Sequence, residues 1–157
     1  MLEHFHVPPE DEVRIMPDAL RVTVNELFLK MGLSEHDAWQ ATDVLLLSDT
    51  RGVDTHGVSN MLRNYIASFA AGFINPSPNW KVTRETATTA NVDCDRGLGI
   101  VVIPQVMELA IEKARETGIG AITMGNGQHA GMIAYHAMMA LPHDMIGCSI
   151  TAGGQSM

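Results

Sequence analysis

The spacing of apolar residues changes near residue 76, and this change constrains the fold more than any other feature of the sequence. Before it, apolar residues recur every three to four positions and predict helices over residues 17–31, 34–50 and 59–71. After the proline-containing loop 75–78, β-branched segments predict strands over residues 80–84 and 86–92. Alternating helices and strands are then predicted over residues 101–117, 119–124, 131–141 and 145–151. The predicted class is α/β (α+β), with an N-terminal helical segment followed by part of a mixed sheet with helices.

These elements divide the chain into three parts. Residues 1–16 are predicted to be a loose N-terminal segment, because charged residues accompany Pro8 and Pro9 there. Residues 17–75 form the helical segment, in which Ser34 is the expected N-cap of the second helix and Asp37 its acidic partner. Residues 76–157 form the first part of an α/β domain. A glycine-rich loop follows the last predicted strand, so we expect the sheet to continue in residues beyond Met157 and the fold to be truncated here.

Composition and charge exclude several classes of function. The chain is 46% hydrophobic and 18% charged, which is typical of a globular domain, and its formal net charge is −8. A surplus of negative charge predicts no binding to nucleic acid and no attraction to anionic membranes. The apolar runs are too short to span a bilayer. Cys94 and Cys148 form no disulfide or zinc motif, which favours a cytoplasmic setting.

The first candidate for chemistry is His129, in the glycine-bracketed segment 125–131 between a predicted strand and a predicted helix. The positive end of that helix favours a neutral imidazole, which is the form that a general base needs near pH 7. A structural alternative is that His129 starts the helix and binds a loop carbonyl. A third interpretation is a dinucleotide fingerprint, because Gly125, Gly127 and Ala130 match its loose form and Asp144 follows.

The second candidate is the pair Thr55 and His56, in the break between the second and third predicted helices. Neighbouring side chains do not make a simple nucleophile and base, but a hydroxyl beside an imidazole can form a proton relay. The alternative is a turn in which Asp54 or Thr55 caps the third helix.

Several segments, taken in order, resemble the malate/L-lactate dehydrogenase family, which includes ureidoglycolate, sulfolactate and diketogulonate dehydrogenases and piperideine-carboxylate reductases. The resemblance covers the chain from about residue 15 and matches the N-terminal half of the family only. Its matching segments are DTRGVDTHGV at 49–58, GFINP at 72–76, DRGLG at 95–99, GQHAG at 127–131, AYHAMM at 134–139, and MIG at 145–147 before Thr151.

The resemblance implies a reversible hydride transfer between NAD or NADP and a small 2-hydroxy acid such as malate or lactate. His129 is implied as the acid/base, with Thr55 and His56 as the relay pair. The family fold is not a Rossmann fold, so residues 76–157 would be the first part of a different cofactor-binding domain. The resemblance also implies a cytoplasmic homodimer that acts on a small 2-hydroxy or 2-oxo acid.

Some positions depart from the family pattern. Asn60 stands where family members often have an arginine, so Arg63, with Tyr65 nearby, or Arg51 is the candidate contact for the substrate carboxylate. Gly153 stands where a serine that contacts the cofactor is common, so its contact would come from the backbone. The sequence also allows an alternative function, in which the chain is a non-catalytic fragment that associates with another chain through exposed strand edges.

Overall fold

The computed structural model describes residues 8–152. Five α-helices and three strands are present in this part of the chain, in the order α1 (Pro17–Lys30), α2 (Glu35–Thr50), α3 (Val58–Ala70), β1 (Lys81–Glu85), β2 (Thr89–Asp93), α4 (Gly99–Thr117), β3 (Ala121–Gly125) and α5 (Ile133–Met138). Short 3₁₀ turns at Asp54–His56 and Leu141–His143 precede α3 and follow α5. The element order therefore confirms helices first and a sheet later.

Helices α1 and α2 pack against each other as the predicted amphipathic pair. Val24 and Phe28 of α1 are buried with Val44 and Leu45 of α2. The predicted cap of α2 is confirmed, since the Ser34 hydroxyl accepts a hydrogen bond from the backbone N–H of Asp37 at 3.1 Å. This bond supplies a partner for one of the N–H groups that a helix start leaves free.

The sheet is mixed, as the sequence predicts. Its strand order is β1-β2-β3; β1 runs antiparallel to β2, and β2 runs parallel to β3. The parallel pair requires a crossover, and α4 supplies it. Val92 of β2 packs with Val102 and Val106 of α4 in a cluster that covers one face of the sheet.

The first turn of α4 lies where the helical segment meets the sheet. Ile100 and Val101 belong to the same buried cluster as the residues of α1 and α2, whereas Val102 faces the sheet. Helix α4 begins at Gly99, two residues earlier than predicted, so Pro104 lies in its second turn rather than its first. Helix α4 thus contributes side chains to two buried clusters, which fix it against both parts of the chain. The division at residue 76 stays a prediction about domains.

Two predicted elements differ from the structure. The strand expected over residues 145–151 is wrong, because that segment has no regular secondary structure and no neighbouring strand in the described chain. The helix expected over 131–141 is shortened to six residues, with Gly131 outside it at a φ of +67° and Leu141–His143 forming a separate turn that contains Pro142. Within residues 8–152, no helix is both long enough and apolar enough to cross a bilayer.

Candidate active site

The turn that carries Thr55 and His56 is held against the end of α2. The Asp49 carboxylate accepts a hydrogen bond from the backbone N–H of Val58 at 2.9 Å, at the start of α3. Gly57 permits this approach, since a Cβ at that position would overlap the Asp49 carboxylate. Burial raises the pKa of Asp49, the Val58 hydrogen bond opposes the rise, and Asp54 adds to it. The glycine that follows His56 therefore allows the Asp49 carboxylate to hold the start of α3 next to this turn.

The loop 126–132 that carries His129 is fixed by hydrogen bonds to two neighbouring elements. Its Gln128 N–H donates to the carbonyl of Gly97 at 3.0 Å, just before α4. His136 of α5 donates from Nε2 to the carbonyl of Ala130 at 2.9 Å. Gly99 allows the loop to lie directly on α4, because a Cβ there would be 2.8 Å from the Ala130 Cα.

These supports bring His56 and His129 together, as the resemblance implies. Their rings stack with centroids 5.4 Å apart and an angle of 17° between the ring planes. The Thr55 hydroxyl lies 2.9 Å from Nδ1 of His56, so the two neighbouring side chains do interact. The Tyr65 hydroxyl lies 2.8 Å from Nδ1 of His129, and the N–H of Gly131 donates to the same nitrogen at 3.3 Å.

The environment of His129 favours the neutral imidazole. Partial removal of the ring from water lowers its pKa below the usual 6.5, and His56 lowers it further. The His129 residue as a whole is exposed, so its ring is only partly removed from water. The predicted cause was the dipole of the following helix. That cause is wrong, because α5 is only six residues long and begins at Ile133, beyond the loop.

A small cavity of about 260 Å³ opens beside His129. Its lining residues come from α3, the start of α4 and the histidine loop, and they are Met61, Asn64, Tyr65, Ser68, Ile74, Leu98, Gln128 and His129. The volume is below the usual range of about 300–1,000 Å³ for ligand pockets. The volume of this cavity is closer to that of a small organic acid than to that of a dinucleotide.

The two candidate arginines do not line this cavity. Arg51 and Arg63 are both exposed, and neither is among the residues around His129. Asn60, at the position of the family arginine, donates from its side-chain amide to the carbonyl of Asp54 at 2.7 Å. A carboxylate contact from Arg51 or Arg63 stays a prediction. The third candidate, Gly153, lies outside the described residues, and the described residues contain no group of three or more side chains able to hold a metal ion.

Sequence reasoning missed the polar residues on the α3 wall of the cavity. Asn64 and Ser68 face the cavity together with Met61 and Tyr65. Their spacing of three to four residues places them on one face of a helix, which was the available signal. His136 is fully buried and supports the loop that carries His129.

The dinucleotide fingerprint is not supported by the fold. That motif requires a helix that starts within the glycine-rich turn, so that its N–H groups face the phosphates. Here residues 126–132 separate β3 from α5. Asp144 lies in a left-handed conformation after a 3₁₀ turn rather than at the end of a strand. The interpretation of Gly125, Gly127 and Ala130 as a Rossmann site is therefore wrong.

Comparison with known proteins adds relatives of known activity. The chain is 42% identical over 142 residues to malate dehydrogenase of Pyrococcus abyssi, a match that covers 90% of this chain and 39% of the relative. It is 38% identical over 143 residues to L-sulfolactate dehydrogenase of Methanocaldococcus jannaschii, covering 91% of this chain and 39% of that protein. The chain thus spans about two fifths of the length of these relatives.

Solved structures and a family model agree with these sequence matches. The structure of malate dehydrogenase from Pyrococcus horikoshii superposes with a TM-score of 0.81 at 38% identity, over 83% of this chain and 37% of that one. Δ1-Piperideine-2-carboxylate reductase from Pseudomonas syringae shares the fold, with a TM-score of 0.74 at 18% identity over 84% of this chain and 40% of that one. The family model described as malate/L-lactate dehydrogenase matches residues 15–157. The chain therefore belongs to the malate/L-lactate dehydrogenase family.

Proposed function

We propose that this chain carries the proton-handling part of an oxidoreductase that transfers a hydride between NAD or NADP and a small 2-hydroxy acid. The observation that carries the proposal is the stacking of His56 on His129 beside a cavity of small-acid size. The relatives named malate and L-sulfolactate dehydrogenase support malate, lactate or a similar acid as the substrate.

His129 would exchange the proton of the substrate oxygen. In reduction of a 2-oxo acid, the charged imidazole gives its Nε2 proton to the carbonyl oxygen as C2 receives the hydride. In oxidation, the neutral imidazole takes the hydroxyl proton as the hydride leaves. The nicotinamide ring, when bound, supplies or accepts the hydride. The lowered pKa of His129 favours the neutral base near pH 7.

Thr55 and His56 would act as the relay next to this base. The hydrogen-bonding distance between the Thr55 hydroxyl and the His56 ring supports that role. The two stacked histidines do not hydrogen-bond to each other, so His56 influences His129 directly through its charge. Arg63, Tyr65 or Arg51 is proposed for the substrate carboxylate.

The cofactor would be held largely by other parts of the enzyme. The cavity beside His129 has room for the acid, whereas a dinucleotide needs a much larger site. Gly153 is the position proposed to contact the cofactor through its backbone. We further propose that the whole enzyme is a cytoplasmic homodimer, as the resemblance implies.

The test is oxidation of NADH and NADPH with oxaloacetate and pyruvate, measured for the whole enzyme of which this chain is proposed to be a part and for its His129→Gln variant. Loss of a general acid/base lowers the rate by about 100-fold or more, so we expect at least that loss of turnover. His36→Gln is the matched control, because His36 lies on the exposed start of α2 and should leave the rate unchanged. Turnover that survives His129→Gln would contradict the proposed role.

A second candidate function is association with another chain without catalysis. It is favoured by the extended segment 145–150, in which Ile146 is 100% and Ile150 89% exposed. Two large apolar side chains exposed on one extended segment can form part of a contact with another chain. Absence of both turnover and nucleotide binding, combined with self-association, would favour this candidate.

A further inference from the structure

The Nδ1 nitrogen of His129 has two partners with different chemical capacities. The backbone N–H of Gly131, 3.3 Å away, can only donate a hydrogen bond. The hydroxyl of Tyr65, 2.8 Å away, can donate or accept. Nε2 makes no hydrogen bond with any residue in the described part of the chain, which leaves this nitrogen available to a ligand in the cavity.

The Gly131 contact favours one tautomer of the neutral ring. Because a backbone N–H donates to Nδ1, that nitrogen holds a lone pair and the neutral imidazole carries its proton on Nε2. The Tyr65 hydroxyl then donates to Nδ1 as well. The resting neutral imidazole therefore carries its N–H donor on Nε2.

The same set of partners behaves differently when Nδ1 is protonated. This occurs in the imidazolium ion, and also in the neutral tautomer whose Nε2 is free to act as a base. Gly131 cannot accept a hydrogen bond from Nδ1–H, whereas the Tyr65 hydroxyl can accept one after rotating its hydrogen. The imidazolium ion and the neutral tautomer protonated on Nδ1 are both needed for proton exchange. Both therefore depend on the Tyr65 hydroxyl as their hydrogen-bond acceptor.

We infer that Tyr65 is a positioning residue that supports His129 in both of its protonation states and allows it to switch between proton donor and proton acceptor. The inference rests on the proposed function of His129 and assigns Tyr65 a role other than contact with the substrate carboxylate. Tyr65 is only 3% exposed and its hydroxyl is engaged by His129. Burial also raises its pKa, so the hydroxyl keeps its proton.

The remaining neighbours of His129 do not offer this switch. Among the polar residues around the cavity, Asn64 and Gln128 donate to backbone carbonyls, and neither they nor Ser68 bind His129 in the described chain. His56 stacks on the ring from the 3₁₀ turn and contributes charge rather than a hydrogen bond. The start of α4 contributes Leu98 and Gly99, which have no polar side-chain atoms. Tyr65 is therefore the side chain whose removal should change the protonation of His129 most directly.

The experiment is NMR titration of the histidine ring nitrogens in the full chain, comparing Tyr65→Phe with the unaltered protein. We expect the His129 midpoint to fall by about one pH unit in Tyr65→Phe, because a hydrogen bond to the charged ring is worth more than one to the neutral ring. Tyr135→Phe is the matched control. The native Tyr135 hydroxyl binds Gln40 and Asp43 and not His129, so its removal should leave the His129 midpoint unchanged.

A second measurement keeps the native hydroxyl in place. The chain has two tyrosines, so fluorotyrosine incorporated into Tyr135→Phe reports on Tyr65 alone. The fluorine chemical shift of the labelled Tyr65 should change with pH at the same midpoint as the His129 titration. A resting neutral His129 protonated on Nδ1, an unchanged midpoint in a folded Tyr65→Phe, or a fluorine signal that ignores the titration would each overturn the inference. Since none of these readouts requires turnover, failure of the inference and failure of the proposed activity are separable.

Discussion

At the scale of single residues, His136 is the buried side chain that holds the loop carrying His129 in place. The side chain is fully buried, and its Nε2 proton is committed to the carbonyl of Ala130, next to His129. Burial lowers the pKa of His136, and the Ala130 carbonyl partly opposes the shift. Folding therefore favours the neutral form of His136, and a proton taken up by this residue favours unfolding.

This neutral histidine predicts an acid-dependent loss of stability. Above pH 6.5, the usual pKa, folded and unfolded chains are both neutral at this residue, so the effect is absent. Below 6.5 the unfolded chain binds a proton that the folded chain does not, and the free energy of unfolding falls. Between pH of about 7.5 and about 5.5 we expect His136 to account for a fall of about 1 kcal/mol.

Urea unfolding at those two pH values checks this expectation. His136→Gln retains an N–H donor for Ala130 and removes the titrating group, so its stability should depend less on pH than that of the unaltered chain. Thr23→Ala, an exposed substitution that removes no titratable group, is the comparison and should leave the pH dependence as it was. Equal pH dependence of the His136→Gln and unaltered chains would refute the assignment.

At the scale of secondary-structure elements, α2 is the helix whose start is most clearly defined by side chains. The Ser34 hydroxyl accepts from the Asp37 N–H and donates to its carboxylate, at 3.1 and 2.8 Å. The Asp37 carboxylate also accepts from the amide of Gln105 on α4, at 3.2 Å. The cap of α2 is thus joined to the helix that supports the histidine loop.

Removal of this cap should lower the stability of the fold. We expect Ser34→Ala to reduce the free energy of unfolding by about 1 kcal/mol, because a backbone N–H loses its partner and the Asp37 side chain loses an anchor. Chemical denaturation monitored by circular dichroism measures the change. Thr23→Ala, on the exposed face of α1, should change stability by less than about 0.5 kcal/mol. A similar loss in both variants would argue against a specific capping effect.

At the scale of the whole molecule, the extended segment 145–150 exposes large apolar side chains and pairs with no strand of the described chain. Exposure alternates along it, with Ile146 and Ile150 facing outward while Gly147 packs on the end of α5. Alternation of this kind is typical of a strand with one free face. The segment has the pattern of a strand but lacks a neighbouring strand in the described chain.

We expect this segment to mediate self-association of the chain. Replacing both isoleucines, as Ile146→Asp with Ile150→Asp, should weaken association by about tenfold or more, since each buried isoleucine contributes roughly 1.5–3 kcal/mol. Analytical ultracentrifugation over a concentration series gives the dissociation constant. Ile119→Asp, at an exposed position outside the segment, is the control. Association that is unaffected by the double variant would exclude this surface.

The sequence alone was sufficient for features that depend on near neighbours in the chain. The helices α1 to α3, the cap at Ser34 and the order of strands and α4 follow from periodicity and local hydrogen bonding within a few residues. The family motifs also predicted that His56 and His129 lie close together, because the resemblance carries information from relatives that share the tertiary fold.

Tertiary structure decided the features that require partners far apart in the chain. The bond between Tyr65 and His129 joins residues 64 positions apart, and it exists because glycines at 57 and 99 let their backbones approach Asp49 and the histidine loop. The segment 145–151 has the composition of a strand, but a strand is defined by hydrogen bonds to a neighbour, which no local pattern can supply. Local sequence sets the preferences of each segment, and only packing determines which distant groups satisfy them.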